Sequence, residues 1–214
     1  MNTAAQSTTN PATKTPETVV LATGNPSKIK EAIPLLGDLR FELRPQSDFQ
    51  VPEADETGVS YVENALIKAY NAAKYCSHPC IAEDSGLMID AFDGELGVFT
   101  HRFTSRFESL QHANQHIIDT INADSNLPRT ARYVAVAVYV VNDRDPMPII
   151  CQGIWEGTIS REVSGDSGFG QDPIFIPDGH TQTVAVLGDK FKALHSHRSQ
   201  ALRQLSEQLT SLYS

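Results

Sequence analysis

The spacing of apolar and polar positions changes along the chain, and each change marks an element. Residues 18–22 form a short β-rich run that stops at Thr23-Gly24-Asn25-Pro26. Asn25 suits a helix N-cap and Pro26 a first helical position. Ile29, Ile33 and Leu36 then recur at helical spacing, with Pro34 expected to kink or shorten the helix. A second strand is predicted over 39–43 and an acidic loop over 51–58. Ser60 and Glu63 form a capping-box pair at the head of an alanine-rich helix reaching about residue 74. Residues 80–82 and 87–91 read as two short strands around a turn, Glu83-Asp84-Ser85-Gly86. A helix is predicted over 108–122, a valine-rich strand over 131–141 and another over 149–159, where Trp155 is assigned to packing. A Gly-rich loop over 164–170 leads into Gln171-Asp172-Pro173. The last helix, starting near Ser196, places Leu202, Leu205, Leu209 and Leu212 on one stripe.

Two long strands joined by a short connection, among helices, predict an α/β protein with a mixed sheet. Regular β-α-β alternation stops after residue 91, which argues against a doubly wound fold. At 214 residues and 40% hydrophobic, the chain suits a single domain over 17–214. Residues 1–16 are polar with no apolar run; they read as a disordered tail and not as a secretory signal. No stretch is apolar enough for a membrane span. A net charge of -9 disfavours a nucleic-acid binder and leaves small phosphates open as ligands. Three cysteines, Cys76, Cys80 and Cys151, cannot all pair within one chain. They are read as structural thiols, so a cytoplasmic location is expected.

Four segments have chemical potential. Thr23, Gly24, Asn25, Pro26, Ser27 and Lys28 sit where a strand turns into a helix, which offers amides, hydroxyls and one ammonium to phosphates. Taken alone, the same residues describe a capped helix with a surface lysine. Asp55-Glu56 and Glu83-Asp84 supply carboxylates of the kind magnesium uses together with substrate phosphates, or simply a solvated loop and a turn. Gly168-Phe169-Gly170-Gln171-Asp172-Pro173 holds one aromatic between glycines, poorly placed for a core and well placed for stacking. Lys192 with Ser196-His197-Arg198 gathers three potential cations at the start of a helix; taken alone they describe an N-cap and a first turn, and an anionic ligand would explain cations at that end of the helix.

In order, ATGNPSK at 22–28, ETG at 56–58, ENALIKA at 63–69, EDSGL at 83–87, GFGQDPIF at 168–175 and SHR at 196–198 resemble the inosine triphosphate pyrophosphatase family of noncanonical-purine hydrolases. The resemblance runs over about 19–212. It implies an elongated fold with a long mixed β-sheet, flanking helices and two lobes around a central cleft, usually as a homodimer. It further implies that residues 23–28 hold the triphosphate, that Asp84 is proton acceptor and metal ligand, and that Ser85 contacts substrate. Asp55 or Glu56 would help hold Mg2+. Phe169, Gly170, Gln171 and Asp172 would line the base, and Lys192, His197 and Arg198 would close the site. Glu83 stands where many members have Asp, Gln171 where Tyr or Trp is frequent, and Val186 where Glu is common. Leu96-Gly97 replaces Pro-Gly, and Thr100-His101-Arg102 replaces Ser-Ala-Arg. The implied reaction converts ITP, dITP or XTP to the monophosphate and pyrophosphate. The alternatives are a nucleotide pyrophosphatase of the septum-formation inhibitor type, acting on modified or pyrimidine nucleotides, and a nucleotide-binding module without turnover.

Overall fold

The computed structural model describes residues 17–212, apart from Asp38 and Arg40. The expected tail over 1–16 lies outside these residues. One six-stranded sheet organises the chain, in the order β2-β1-β3-β4-β5-β6. Strands β1 (Glu17–Leu21), β2 (Phe41–Pro45) and β3 (Cys80–Ile89) are mutually parallel where they pair. Strands β4 (Thr130–Val140), β5 (Ile149–Ile159) and β6 (Phe175–Pro177) continue from β3 antiparallel. The expected mixed α/β sheet is therefore present. Its parallel half needs helical crossovers, supplied by α1 (Pro26–Leu36) and α2 (Tyr61–Cys76); in its antiparallel half β4 and β5 are joined directly, whereas a long helical segment separates β3 from β4.

Around the sheet pack α3 (Thr100–Thr104), α4 (Leu110–Ala123), α5 (Val184–Leu187), α6 (Asp189–His195) and α7 (His197–Leu212). The local signals at helix starts hold. Asn25 accepts from the Ser27 and Lys28 amides, and Ser60 with Glu63 forms a complete capping box. Helix α1 runs through Pro34 and ends two residues later, at Leu36. Leu202, Leu205 and Leu209 are buried, whereas Leu212, the last residue of α7, is exposed. Short helices α5 and α6, too brief for periodicity to reveal, precede α7.

The largest departure from the sequence reading is β3. Residues 83–86 are not a turn between two strands; they are the middle of one ten-residue strand. Glu83, Asp84, Ser85 and Gly86 pair with Ala137, Val136, Ala135 and Val134 of the longer β4. That continuous partner satisfies the backbone, and basic side chains satisfy the acids, so local turn composition is overridden.

Apolar packing falls into three clusters. One, around Val19, Leu36, Ile81, Tyr139 and Leu205, lies under α1 and α7. A second, around Val20, Ala69, Ala72, Ala82 and Val138, lies under α2. The third, around Leu87, Phe103, Ile117, Trp155 and Phe175, fills the region where β3 ends and β4 begins, so Trp155 packs as expected. Polar residues 83–85 occupy β3 between these clusters.

Candidate active site

Side chains on a strand alternate between faces. Ile81, Glu83 and Ser85 therefore look toward α1 and α7, while Ala82 and Asp84 look toward α2. Two charged clusters result, one on each face of the same strand.

On the α1 and α7 face, Lys28 Nζ lies 2.8 Å from Glu83 Oε2 and Arg198 Nε lies 3.4 Å from the same oxygen. Arg198 also donates to Ser85 Oγ at 3.0 Å and pairs with Glu31. Lys192 bridges Glu31 at 3.3 Å and Asp172 at 2.7 Å. Burial opposes the Glu83 charge, but Arg198 and Lys28 outweigh it and hold the carboxyl well below the usual range. Burial likewise opposes the Arg198 charge, and Glu83 with Glu31 overcomes it. For Asp172 burial wins, and its pKa stands above the ordinary value despite Lys192 and the Phe169 amide. Cations at the head of α7 are thus balanced by the protein's own acids. His197 is not one of those cations. It is buried, stacked on Tyr133 with ring centroids 4.6 Å apart, and driven well below its ordinary pKa by burial and by Arg198.

On the α2 face, the Lys68 ammonium sits between Asp84 Oδ1 at 2.8 Å and Glu56 Oε2 at 3.0 Å. Burial pushes the Asp84 carboxyl up, against the pull of Lys68 and Lys28. Of the adjacent acids Asp55 and Glu56, Asp55 is exposed and Glu56 reaches this cluster. Arg102 Nη2 donates to the Glu56 carbonyl at 3.1 Å and steadies the loop.

The loop after β1 runs beside β3, with the Ala22 amide bonded to the Ile81 carbonyl at 2.8 Å. This brings Lys28 to Glu83 and within electrostatic reach of Asp84. The amide cradle expected from residues 23–28 is only partly available. The Ser27 and Lys28 amides bond Asn25 Oδ1, and the Asn25 amide bonds Thr23 Oγ1 at 3.1 Å. The donors the loop can turn outward are the hydroxyls of Thr23 and Ser27, the Asn25 amide group, the Gly24 N–H and Lys28. Pro26 contributes its fixed φ at the helix start and no donor.

The Gly-rich loop behaves as its composition suggests. The Phe169 ring is partly exposed, with Lys192 Nζ 3.7 Å from its centroid and the Arg198 guanidinium 5.6 Å away. Asp172 Oδ2 accepts the Phe169 amide at 2.8 Å. Gly168, at φ +79, leaves room for that carboxylate, which a Cβ would meet at 2.2 Å. Gln171 is buried, and its carbonyl accepts the Ile174 and Phe175 amides. It closes a turn as well as facing the loop.

Sequence reasoning missed Lys68 and Glu31. Lys68 lies three positions after Ala65 and four before Ala72, on the buried face of α2. A lysine on that stripe was the signal. Glu31, three residues after Lys28, shares its face of α1.

No group of three or more His, Cys, Asp or Glu among the described residues can hold a metal by itself. Glu56 and Asp84 do converge on one cationic position, now taken by Lys68. Two carboxylates completed by ligand oxygens suit a hard divalent cation that binds through substrate phosphates. The donor set therefore fits such an ion.

Buried acids and cations thus sit on both faces of one strand, beside a helix-initiating loop and a partly exposed aromatic. The chain belongs to the Ham1 family, whose profile matches residues 19–208. It is 43% identical to a dITP/XTP pyrophosphatase of Coxiella burnetii, covering 91% of this chain and 98% of that protein. The Escherichia coli K12 protein of the same name is 40% identical over 89% of this chain and 97% of its own. Among solved structures, a HAM1 protein from Coxiella burnetii superposes with a TM-score of 0.85 at 42% identity, covering 91% of this chain and 99% of that one. The Staphylococcus aureus Ham1 protein gives 0.80 at 28% identity, covering 92% and 100%.

Proposed function

We propose that this chain hydrolyses noncanonical purine nucleoside triphosphates, ITP, dITP and XTP, to the monophosphate and pyrophosphate. The relatives named dITP/XTP pyrophosphatase support the reaction class. The observation that carries the residue-level reading is the position of Asp84, half-way along β3, next to the Lys28 loop and held by Lys68.

In this reading Asp84 orients a water and takes its proton as the oxygen attacks the α-phosphorus. The bond from that phosphorus to the bridging oxygen breaks and pyrophosphate departs. Lys68 works against the upward push that burial exerts on the Asp84 carboxyl. Thr23, Gly24, Asn25, Ser27 and Lys28 hold the phosphates, and Ser85 and Arg198 lie on the same face of β3 as Lys28. Glu56 and Asp84 would hold Mg2+, which supplies charge neutralisation on the phosphate oxygens when bound. Asp55 has no such role. Acceleration comes chiefly from positioning and electrostatics.

Phe169 stacks on the base, with Gly170, Gln171 and Asp172 shaping its surroundings and Lys192, His197 and Arg198 behind it. Hypoxanthine and xanthine carry a keto oxygen where adenine has an amine. A site that donates hydrogen bonds there leaves its donors unpaired with adenine, which discriminates by about 10⁴ or more. Arg198 retains guanidinium N–H groups beyond those given to Glu31 and Ser85. Replacing Arg198 with Ala is expected to lower the ITP-to-ATP ratio of kcat/KM; an unchanged ratio removes it from base reading.

The separate apolar cluster beyond residue 86 supports two lobes around a cleft at residues 83–85. Exposed Val141, Met147, Ile150 and Ile154, on and beside β5, support a homodimer. Light scattering that gives a mass near 23.4 kDa, not twice that, would remove the dimer. No helix among the described residues is long and apolar enough to cross a membrane. The net charge of -9 supports a small-molecule nucleotide over nucleic acid as partner, and a cytoplasmic location belongs to the same reading.

A further inference from the structure

Most ties on the loop around Phe169 come from site residues, but one comes from a helix with no other part in the site. Asn114 of α4 is 3% exposed and donates from Nδ2 to the Gly170 carbonyl at 3.1 Å. Ile117, Ile118 and Ile121 follow it on the buried face of α4, in the apolar cluster that also holds Trp155. Asn114 Oδ1 is buried without a hydrogen-bond partner among the described residues. The carbonyl opposite fixes which end of the amide faces it, because only the NH2 end donates. An unpaired buried acceptor is costly, so an apolar side chain would serve the helix better. What the asparagine supplies is the bond to Gly170.

That bond has a specific effect. Gly170 adopts φ +68, and the space where its Cβ would stand is empty, so packing does not hold this peptide. Asn114 holds its carbonyl, and the next carbonyl, that of Gln171, accepts the Ile174 and Phe175 amides. Phe169 lies immediately before this clamp, and its ring is placed over Lys192 and beside Arg198.

We propose that Asn114 is a positioning residue for the base subsite, fixing the Gly170 peptide and through it the Phe169 ring without touching the nucleotide. The proposal rests on the reading of Phe169 as the surface on which the base stacks.

Asn114→Leu keeps the branching and the number of heavy side-chain atoms and removes the donor. In the full chain its melting temperature is expected to equal or exceed that of the unsubstituted protein. KM for ITP and for XTP should rise together by about tenfold, the loss of one hydrogen bond's worth of positioning. The kcat should stay within about twofold, and competitive inhibition by inorganic tripolyphosphate, which has no base, should keep its Ki. Unchanged KM values overturn the proposal. So does a parallel rise in KM and in the tripolyphosphate Ki, because the whole site is then disturbed. Asn114→Ala, smaller and also without a donor, should repeat the leucine result; wild-type KM values in that variant also overturn it. If the unsubstituted chain releases no pyrophosphate from ITP or XTP, the base reading itself fails, an outcome distinct from all of these.

Discussion

Glu83 and Asp84 are consecutive in sequence and separated by the thickness of the sheet. Glu83 meets Lys28 and Arg198 on one face, and Asp84 meets Lys68 on the other. Neighbouring carboxylates on one strand thus carry opposite electrostatics: Glu83 is held firmly ionised, while burial lifts Asp84 above its ordinary pKa. The first is built as an anchor and the second as a group able to exchange a proton.

Removing the anchor should cost stability. Glu83→Gln leaves Lys28 without its 2.8 Å partner and Arg198 with Glu31 as its remaining acid. Truncating one member of a buried ion pair typically costs about 3–5 kcal/mol. Glu31 offsets part of that here, so about 3 kcal/mol is expected, read from urea unfolding midpoints.

Lys68→Met tests the other cluster. Without its ammonium, Asp84 and Glu56 lose the cation that joins them. Turnover should fall by about 10²-fold, the usual size of a lost electrostatic contact to the reacting centre. Steady-state kinetics with ITP at saturating magnesium checks this.

The behaviour of His197 fixes a pH dependence. Its folded pKa lies well below the ordinary 6.5 because burial and Arg198 keep it neutral. Below about pH 6.5 the unfolded chain binds a proton at this position and the folded chain does not. Stability therefore falls as pH drops from 6.5 toward the folded pKa, at about 1.4 kcal/mol per pH unit from this group. His197→Phe preserves an aromatic ring against Tyr133 and removes the titration. Its stability should decline less steeply between pH 6.5 and 5, by about that slope; chemical denaturation at several pH values measures the difference.

How far the sequence disclosed this arrangement follows from where each determinant lies. Helix starts were readable because Asn25, Ser60 and Glu63 act on amides two or three residues away. Strands β4 and β5 were readable from their length and alternation. Residues 83–86 were misread because the partner that makes them a strand, β4, lies about fifty residues further on. The cation count at His197 failed for the same reason: its neutrality depends on Tyr133 and on burial, neither visible locally. Lys68 could have been found, since it interrupts the alanine face of α2. The engagement of the Ser27 and Lys28 amides by Asn25 was implicit in the cap itself.

The most direct test of the account compares pyrophosphate release from ITP, XTP and ATP by the unsubstituted chain and by Asp84→Asn, with magnesium present. The unsubstituted chain should release pyrophosphate from ITP and XTP with kcat/KM at least about 10²-fold above ATP. The folded Asp84→Asn protein should lose about 10³-fold in turnover, within the range for a lost general base. Orthophosphate as the product, equal use of ATP, or near-normal turnover in Asp84→Asn would contradict it.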